Sequence, residues 1–431
     1  MEIDDGTVGE KSWVVEIDGQ SKKIDPLIEN KQWSKQSIYR VPACIKKLNR
    51  EVYTPQIVSF GPYHHGENDL MPMEEHKHRA LLHFLKKAKK PFHEFMAAME
   101  AEFERLQEAY QSLDERWKDK ESFLRLVILD GCFMLEIMRV KTQKSSDHGY
   151  AYDDPVFSES GIHHNVPYIK RDMMMIENQL PLLVLDQLVL VEGLHRTAEK
   201  YVDELMQRFW EWKSTASLGQ RLHPLGVLHS VLLKPCGQKN RDLKTPKMDT
   251  IIRSAVELHE AGIRFKTSES DSLLDIWFDN GVLSLPKLTV DDNTKYIFLN
   301  LMAFERLHVC AGNDVTSFVC FMDHIIDSAK DINLLHYKGI ILNAVGSDEA
   351  AAELFNRLTK DVVLDPSSSL GKVQNDVKNY IQNDWRRHRA NLRHTYFTSP
   401  WTTLSLMAAI VLLILTVLQT IYTMLQFHLS A

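Results

Sequence analysis

Apolar residues recur at three- and four-residue spacing over most of this chain, which is the period of an amphipathic α-helix. Proline- and glycine-rich segments separate the periodic stretches. The fold class predicted from this pattern is mainly α, with a large helical body. The helices are predicted at residues 74–89, 91–110, 121–140, 169–175, 182–190, 195–212, 249–261, 293–309, 315–328, 347–358 and 371–394.

Two polar stretches without a period interrupt the helical pattern, at residues 141–165 and 213–250. Loops of that length are either functional or disordered, so we expect no regular structure there. The second stretch serves as a boundary between two halves. The predicted organisation is a flexible N-terminus at 1–30, a helical half at 31–212, a connector at 213–250, a second helical half at 251–395 and a transmembrane helix at 402–425.

One small β element is expected in the second half. The dipeptide Asn280-Gly281 stands between the apolar runs LLDIWF and VLSL. Because both central residues of a tight hairpin turn need positive φ, Asn-Gly between apolar runs is the strongest short-range hairpin signal. The sequence therefore predicts a β-hairpin within the second helical half.

The C-terminal stretch 401–425 contains no charged residue. At about 1.5 Å rise per residue, a helix over its apolar part spans the roughly 30 Å hydrocarbon core of a bilayer. Apolar side chains occupy every face of that helix, as in a membrane span. The side chains predicted to anchor it in lipid are Leu404, Ile410, Leu413, Leu415, Leu418 and Ile421.

Several features predict which side of the membrane the body occupies. Basic residues next to a span favour the cytoplasmic side, and four precede this one: Arg386, Arg387, Arg389 and Arg393. The chain opens with an acidic segment that has no apolar core of the signal-peptide kind. The five cysteines form no CxxC pair, and no Asn-x-Ser/Thr glycosylation site occurs. We therefore expect a single-pass, tail-anchored protein of the plasma membrane or endoplasmic reticulum with its body in the cytosol, and the lipid bilayer as one partner.

Composition and motifs narrow the function. Hydrophobic residues make up 44% of the chain, charged residues 25%, and the net charge is −7. That charge gives no basic field, so nucleic acid is not an expected partner. The motifs GxxxxGK[ST], GxGxxG, HExxH and GxSxG are all missing. No catalytic, cofactor-binding or metal-binding residue is predicted, and the chain is not expected to be an enzyme.

The nearest approach to a catalytic or metal cluster is the set His64, His65, Glu74 and His76. Histidine pairs bind zinc, and histidine serves as a general base. The structural interpretation is stronger, because the histidine pair fits a turn and the helix start after it is rich in charged residues. A metal site also needs three or four convergent ligands, which a sequence does not display.

A second polar set interrupts apolar surroundings. Residues 171–181 read RDMMMIENQLP, and Asp130 and Glu136 lie in an apolar predicted helix. Buried polar groups must find partners, because an unsatisfied one costs about 1–3 kcal/mol. We therefore predict a buried network of ion pairs and amides that fixes helix register, with arginine partners for the acids from Arg40, Arg79 or Arg171.

Nine segments of the chain, in order, resemble the plant domain-of-unknown-function family 247. They cover the chain from about residue 37 to 425. The similar segments are IYRVP (38–42), VSFGPYHHG (58–66), MEEHKHR (73–79), IENQLPLLVL (176–185), ELHEAGIRF (257–265), FDNGVLSLPKL (278–288), NLMAFE (300–305), GIILNAVGSDEAAAELFN (339–356) and YFTSPWTTLSLMAA (396–409).

This resemblance implies a mostly helical cytoplasmic domain with a C-terminal membrane anchor, in a plant. The family has no established enzymatic activity and no agreed catalytic residues. Some grass members are implicated as determinants of self-incompatibility, which implies recognition rather than chemistry.

Three functional hypotheses follow. The first is a membrane-tethered recognition or scaffold protein, in signalling or self-recognition, that binds an unidentified protein partner. The second is an enzyme of unrecognised class that uses the His64/His65/Glu74/His76 region. The third is a homo-oligomer that self-associates through its tail, where Ser405, Ala408 and Ala409 let two spans approach.

Overall fold

A computed structural model of the chain describes residues 13, 17, 21, 25, 33–143, 149–193, 197–212, 221–234, 252–360, 362, 370–382 and 400–429. The chain divides into two compact units. The first comprises Met1–Lys234 together with Asp292–Thr316, and the second comprises Pro235–Asp291 together with Ser317–Ala431. The predicted halves are contiguous in sequence, whereas these units are not.

The described part is mainly α, as predicted. The helices are α1 Ala43–Lys46, α2 Met71–Ala88, α3 Phe92–Ala101, α4 Phe103–Glu108, α5 Lys120–Thr142, α6 Glu159–Asp172, α7 Leu182–Glu192, α8 Ala198–Trp210, α9 Pro224–Leu232, α10 Ala255–Glu260, α11 Thr294–Leu307, α12 Asp314–Ile325, α13 Ala329–Tyr337, α14 Asp348–Leu358, α15 Gly371–Gln382 and α16 Pro400–Leu429. The strands are β1 Arg264–Thr267, β2 Trp277–Asp279, β3 Val282–Leu285, β4 Leu288–Val290 and β5 Ile341–Asn343.

Helix α5 is the central element of the first unit. It begins where the Asp119 side chain accepts a hydrogen bond from the Ser122 backbone N–H, and nearly every residue from Phe123 to Val140 is buried. Helices α2, α3, α7 and α8 pack around it. The approach of α7 is close, because a Cβ on Gly131 would lie 2.7 Å from a Leu188 methyl group. Glycine at this position lets two buried helices meet.

The two polar stretches are partly helical, so the prediction that they lack regular structure is wrong. Helix α6 begins at Glu159, inside the predicted loop, because the Ser158 side chain accepts from the Gly161 N–H and caps it. Helix α9 lies inside the predicted connector. His223 caps its first turn, and Pro224 stands at a first-turn position where a proline costs no backbone hydrogen bond.

The second unit contains the predicted hairpin. Strands β2 and β3 pair antiparallel, with Phe278 opposite Leu283. Asn280 and Gly281 have φ of +48° and +78°, as a two-residue hairpin turn requires. Strand β1 adds to β3 in parallel, and β4 pairs with β5 in parallel. The sequence pattern did not reveal these parallel pairs, because their partners are distant in the chain.

The C-terminal prediction of a long apolar helix agrees with α16, which includes residues 402–425. Its segment Met407–Met424 is, by length and composition, able to cross a membrane, and none of that segment is buried. Helix α15 covers the start of the predicted 371–394 helix. The arginines Arg386, Arg387, Arg389 and Arg393 lie outside the described residues, as does most of the N-terminal segment 1–30.

Candidate functional site

His64 is the most enclosed member of the predicted histidine set, with 4% of its surface exposed. Its Nδ1 lies 2.7 Å from Glu67 Oε1, and its Nε2 lies 3.3 Å from Glu177 Oε2. The Glu177 carboxylate also accepts from the Val41 backbone N–H at 2.7 Å and from Lys46 Nζ at 2.5 Å. Burial opposes ionisation of Glu177, but the nearby His64 ring and the hydrogen bonds from Lys46 and Val41 lower its pKa. His64 is thus part of an internal ionic cluster.

The other members of the set have different partners. His65 Nδ1 lies 3.8 Å from Glu74 Oε2, and the His65 ring packs edge-on against Trp117 at 5.5 Å. His76 Nδ1 instead lies 2.8 Å from an Arg79 guanidinium nitrogen. Burial lowers the pKa of both His65 and His76. Among the described residues, no three His, Cys, Asp or Glu side chains are arranged to hold a metal ion.

The strongest charge cluster centres on Lys77, whose side chain is completely buried. Lys77 Nζ lies 2.7 Å from Asp130 Oδ1, 2.6 Å from Glu74 Oε1 and 3.1 Å from Ser59 Oγ. The second Asp130 oxygen accepts from the Gly61 backbone N–H at 2.7 Å. Burial raises the pKa of Asp130 to about 6, although the Lys77 charge acts in the opposite direction. This cluster ties the loop at 58–61 to helices α2 and α5.

The predicted buried network is therefore present, but the predicted arginine partners are wrong. The acids pair with lysines on α2, Asp130 with Lys77 and Glu136 with Lys87. An arginine that was not among the candidates, Arg139, also lies 3.6 Å from Glu136 Oε1. Each candidate arginine contacts another group: Arg40 pairs with Asp114, Arg79 with Asp154, and Arg171 donates to Gln56 and Asn293.

Sequence reasoning missed Lys77 because it stands in the charged run MEEHKHR, which is typical of an exposed helix face. The spacing of the residues around it nevertheless places Lys77 on the buried face of the helix. Met73, Lys77, Ala80 and Phe84 follow one another at spacings of four, three and four, and all are buried. A residue on such a stripe faces the core whatever its charge, so Lys77 must have an acidic partner there.

A second ionic group lies further along α5. Glu136 Oε2 accepts from Lys87 Nζ at 2.8 Å and from the Tyr150 hydroxyl at 3.0 Å. Arg139 donates through both terminal nitrogens to the Glu192 carboxylate, at 3.0 and 2.5 Å. Such forked pairs fix geometry as well as charge. The pair fastens α5 to the end of α7.

The side-chain amide of Asn178 connects two of the segments that resemble family 247, residues 58–66 and 176–185. Its oxygen accepts from the Phe60 N–H at 2.7 Å, and its nitrogen donates to the carbonyl oxygens of Val58 and Asp172, both at 3.0 Å. The Asp172 carboxylate accepts from three successive backbone N–H groups, at residues 56–58. Burial raises the pKa of Asp172 to about 6, against the effect of those amides. These bonds hold the 56–60 backbone in place.

Gln179 and His223 join further segments of the first unit. The Gln179 oxygen accepts from the Leu225 N–H at 3.0 Å. His223 accepts from the Gly226 N–H through Nδ1, and its Nε2 lies 2.9 Å from the Ser37 carbonyl oxygen. The His223 Nδ1 also lies 3.0 Å from the Gln179 amide oxygen. Complete burial lowers the pKa of His223 to about 3, despite its bond to Ser37.

Two side chains of the NLMAFE segment on α11 also form hydrogen bonds with backbone groups of other segments. Asn300 accepts from the Ile176 N–H at 2.9 Å and donates to the Val52 carbonyl oxygen at 3.0 Å. The Glu305 carboxylate accepts from the Val315 N–H at 2.8 Å. The buried polar residues of these motifs bind the protein's own backbone, so their chemistry is that of internal scaffolding.

One open depression of about 540 Å³ lies in the second unit, between the N-terminal ends of α13 and α14. Part of its lining belongs to the segment 339–356, but none of the predicted histidine, acidic or anchor residues lines it. Its lining residues are Ala329, Lys330, Asn333, Asn343, Gly346, Ser347, Asp348 and Glu349.

The predicted anchor residues all lie on α16. Each exposes about half or more of its surface, with Ile410 and Ile421 at 49% and Leu413 highest at 69%. Exposed apolar patches of this extent mark protein–protein or membrane interaction sites. The six side chains are Leu404, Ile410, Leu413, Leu415, Leu418 and Ile421.

Comparison with known proteins identifies relatives of unassigned function. A family model described as a plant protein of unknown function matches residues 38–415. A UPF0481 protein of Arabidopsis thaliana is 29% identical over 438 residues, which covers 94% of this chain and 90% of the relative. A putative UPF0481 protein of the same plant is 23% identical over 521 residues, covering 95% of this chain and 94% of the relative. No solved structure matches the chain significantly.

Proposed function

The chain belongs to this plant family of unknown function, and from that premise we propose that it is a membrane-anchored recognition or scaffold module without catalytic activity. Helix α16 holds the chain in a lipid bilayer. The helical body lies in the cytosol, at the plasma membrane or endoplasmic reticulum, and binds a protein partner in signalling or self-recognition.

The observation that carries the proposal is the apolar surface of α16. The helix has 30 residues and is therefore about 45 Å long, enough for a bilayer core of roughly 30 Å. None of its segment Met407–Met424 is buried. A soluble helix hides its apolar stripe against the protein, whereas a helix that is apolar all round suits lipid.

The orientation rests on the sequence before the helix. Arg386, Arg387, Arg389 and Arg393 stand within about 15 residues of the span, the range in which positive charge sets topology. The same leaflet carries anionic lipids, to which arginines are attracted. Both effects favour a cytosolic body.

We propose that the chain is not catalytic because Lys77 and His64, the buried ionisable side chains of the motifs, already pair with other groups of the protein. Lys77 is completely buried among Asp130, Glu74 and Ser59, with no surface for a substrate. Both ring nitrogens of His64 face carboxylates of the protein itself. Groups that stabilise the fold in this way perturb one another's pKa values without catalysing a reaction.

An enzyme is the second candidate, and His65 is the observation in its favour. Its side chain is 30% exposed, and Glu74 Oε2 lies 3.8 Å from its Nδ1. This separation is longer than a hydrogen bond, but catalytic groups are often more loosely spaced before a substrate binds. The alternative predicts that any turnover found for the purified chain is lost in His65→Gln and kept in His93→Gln, a change of an exposed histidine. Equal turnover in both variants excludes this site.

The anchor is tested by placing charge at its centre. The double variant Leu413→Lys/Leu415→Lys adds two lysines, each costing about 2.5–3.5 kcal/mol at the middle of a span. We expect the full-length chain to resist alkaline carbonate extraction from membranes and the double variant to be released. Leu82→Lys/Leu190→Lys is the matched control, because it adds the same charges at exposed positions of the body.

Topology is read from a glycosylation tag added after residue 431. We expect the tag to be glycosylated in microsomes while the body stays accessible to added protease. Release of the unaltered chain by carbonate contradicts the anchor, and a protected body contradicts the orientation.

The recognition role is tested by proximity labelling from the intact chain in plant tissue. We expect a specific membrane-associated protein to be labelled by the unaltered chain and not by Leu413→Lys/Leu415→Lys. Direct binding of the purified partner to the full-length chain must then be measurable. A chain that labels the same neighbours when released from the membrane contradicts a role that depends on tethering.

A further inference from the structure

Helix α16 carries a line of residues along one face that, apart from one leucine, are small or polar. These residues follow one another at spacings of four, three, four, three and four, which is a heptad repeat along one face. Most other positions of the span are Leu, Ile, Val or Met. The line, called here the tail stripe, consists of Ser405, Ala409, Leu412, Thr416, Gln419 and Thr423.

Gln419 differs from the threonines of the same part of the helix. The hydroxyls of Thr416, Thr420 and Thr423 donate to carbonyl oxygens four residues earlier, at 2.8, 2.8 and 2.6 Å. None of the hydrogen bonds made by the described residues involves the Gln419 side chain, which is exposed. In hydrocarbon no water satisfies an amide, so Gln419 requires a partner inside the bilayer.

We infer that two copies of this chain form a parallel dimer through the tail stripe, in which the Gln419 amides hydrogen-bond to each other. The inference rests on the proposed membrane anchor. A carboxamide both donates and accepts, so the same residue in a second copy satisfies it. The described structure leaves the whole segment Met407–Met424 unburied, so no other described part of the chain covers the stripe.

Membrane insertion itself selects the parallel arrangement. Every copy enters with the same orientation, so two spans lie side by side with equal residues at equal depth. A two-fold axis between them then places each stripe residue opposite its own copy. Ala409 and Ser405 are small enough for the backbones to approach, and an interhelical hydrogen bond between amides stabilises helix pairs in lipid.

The first test measures self-association of the full-length chain in phosphatidylcholine vesicles by energy transfer between labelled copies. Gln419→Leu removes the amide and keeps the span apolar. We expect it to weaken association by about 3- to 30-fold, the range for one interhelical polar contact. Leu418→Ala is the control beside the stripe, and we expect its effect to be smaller than that of Gln419→Leu. Equal association of the unaltered chain and Gln419→Leu overturns the inference.

The second test maps the contact face in the same vesicles. Leu412→Cys places a thiol on the stripe, and Leu413→Cys places one on the neighbouring face. We expect oxidation to cross-link Leu412→Cys into dimers well beyond the background of the unaltered chain, and Leu413→Cys to remain at that background. Equal cross-linking of the two variants overturns the stripe as the contact.

Carbonate extraction of the same samples separates the two proposals. A chain that resists extraction and stays monomeric overturns the dimer alone. A chain that is released overturns the anchor and the dimer together.

Discussion

Replacing Lys77 with methionine removes the lysine charge that lies between two carboxylates. Methionine has a similar length and no charge, so packing changes little. Asp130, which is completely buried, then loses the charge that lies 2.7 Å from it, and Glu74 loses the one at 2.6 Å. Among the described residues, the Gly61 N–H then remains as the hydrogen-bond donor to Asp130.

The magnitude follows from these distances. At an effective dielectric constant of 20, unit charges 2.7 Å apart attract by about 6 kcal/mol. Desolvation of Lys77 offsets part of that attraction. Measured losses on removing one partner of a buried pair are about 3–5 kcal/mol, and we expect Lys77→Met to destabilise the first unit by that amount.

The assay is urea unfolding of the full-length chain in detergent micelles, followed by tryptophan fluorescence and circular dichroism. Lys90→Met is the matched control, because the Lys90–Glu94 pair is about 40% exposed on both sides. Exposed pairs contribute about 0–1 kcal/mol. Hydrogen exchange of the Gly61 amide, which donates to Asp130, reports whether the loss occurs at this site.

A second substitution separates charge from packing. Asp130→Asn in the Lys77→Met background removes the uncompensated charge and keeps an acceptor for Gly61. We expect the double variant to be more stable than Lys77→Met alone. If Asp130→Asn destabilises the Lys77→Met chain further, or if Lys77→Met costs no more than Lys90→Met, the reasoning is refuted.

The pH dependence supplies an internal check. The pKa of Asp130 is raised to about 6, and Lys77 is the group that lowers it, so its removal raises the pKa further. A carboxyl group with a raised folded-state pKa favours folding at low pH, and that contribution is lost as pH rises through the folded pKa. We therefore expect the deficit of Lys77→Met to narrow between pH 7.5 and pH 5.5. A deficit that is constant over this range contradicts a charge effect.

Three further predictions concern the first unit. The pKa of His223 falls from 6.5 in the unfolded chain to about 3 in the folded chain, so its contribution to stability is present above pH 6.5 and is lost as pH falls, by about 2 kcal/mol at pH 5. The urea midpoint of His223→Asn should therefore change less between pH 7.5 and 5 than that of the unaltered chain. Parallel pH profiles of the two proteins would contradict this. Gly61→Ala strains a residue at φ +71° and puts a Cβ 2.7 Å from the Gln179 carbonyl oxygen, whereas Gly312→Ala, at φ +75°, meets nothing within 4 Å. We expect Gly61→Ala to lower the unfolding free energy by about 1–3 kcal/mol more than Gly312→Ala, and equal losses would show that the contact is relieved. Asn178→Ala leaves the Phe60 N–H and the Val58 carbonyl unpaired, so we expect a loss of at least about 1–3 kcal/mol in urea and faster exchange of the Phe60 amide; an unchanged exchange rate would argue against this bond.

The sequence by itself determined the features that depend on neighbours in the chain. Periodicity of three and four residues predicted the helices, because each helical hydrogen bond joins residues four apart. Asn280-Gly281 predicted the hairpin, because the turn needs two positive φ angles and its strands are adjacent. The apolar run at 401–425 predicted the helix that became α16, since its composition alone suits a membrane span.

Tertiary structure decided which polar groups meet. The sequence required partners for Asp130 and Glu136, but the structure supplied lysines of α2 rather than the expected arginines. The parallel pairing of β4 with β5 likewise joins strands about 50 residues apart. A buried charge is satisfied by any opposite charge that the packing brings within about 3 Å, and packing depends on the contacts of the whole unit. Local sequence therefore sets the need for a partner, and only the assembled core selects which residue meets it.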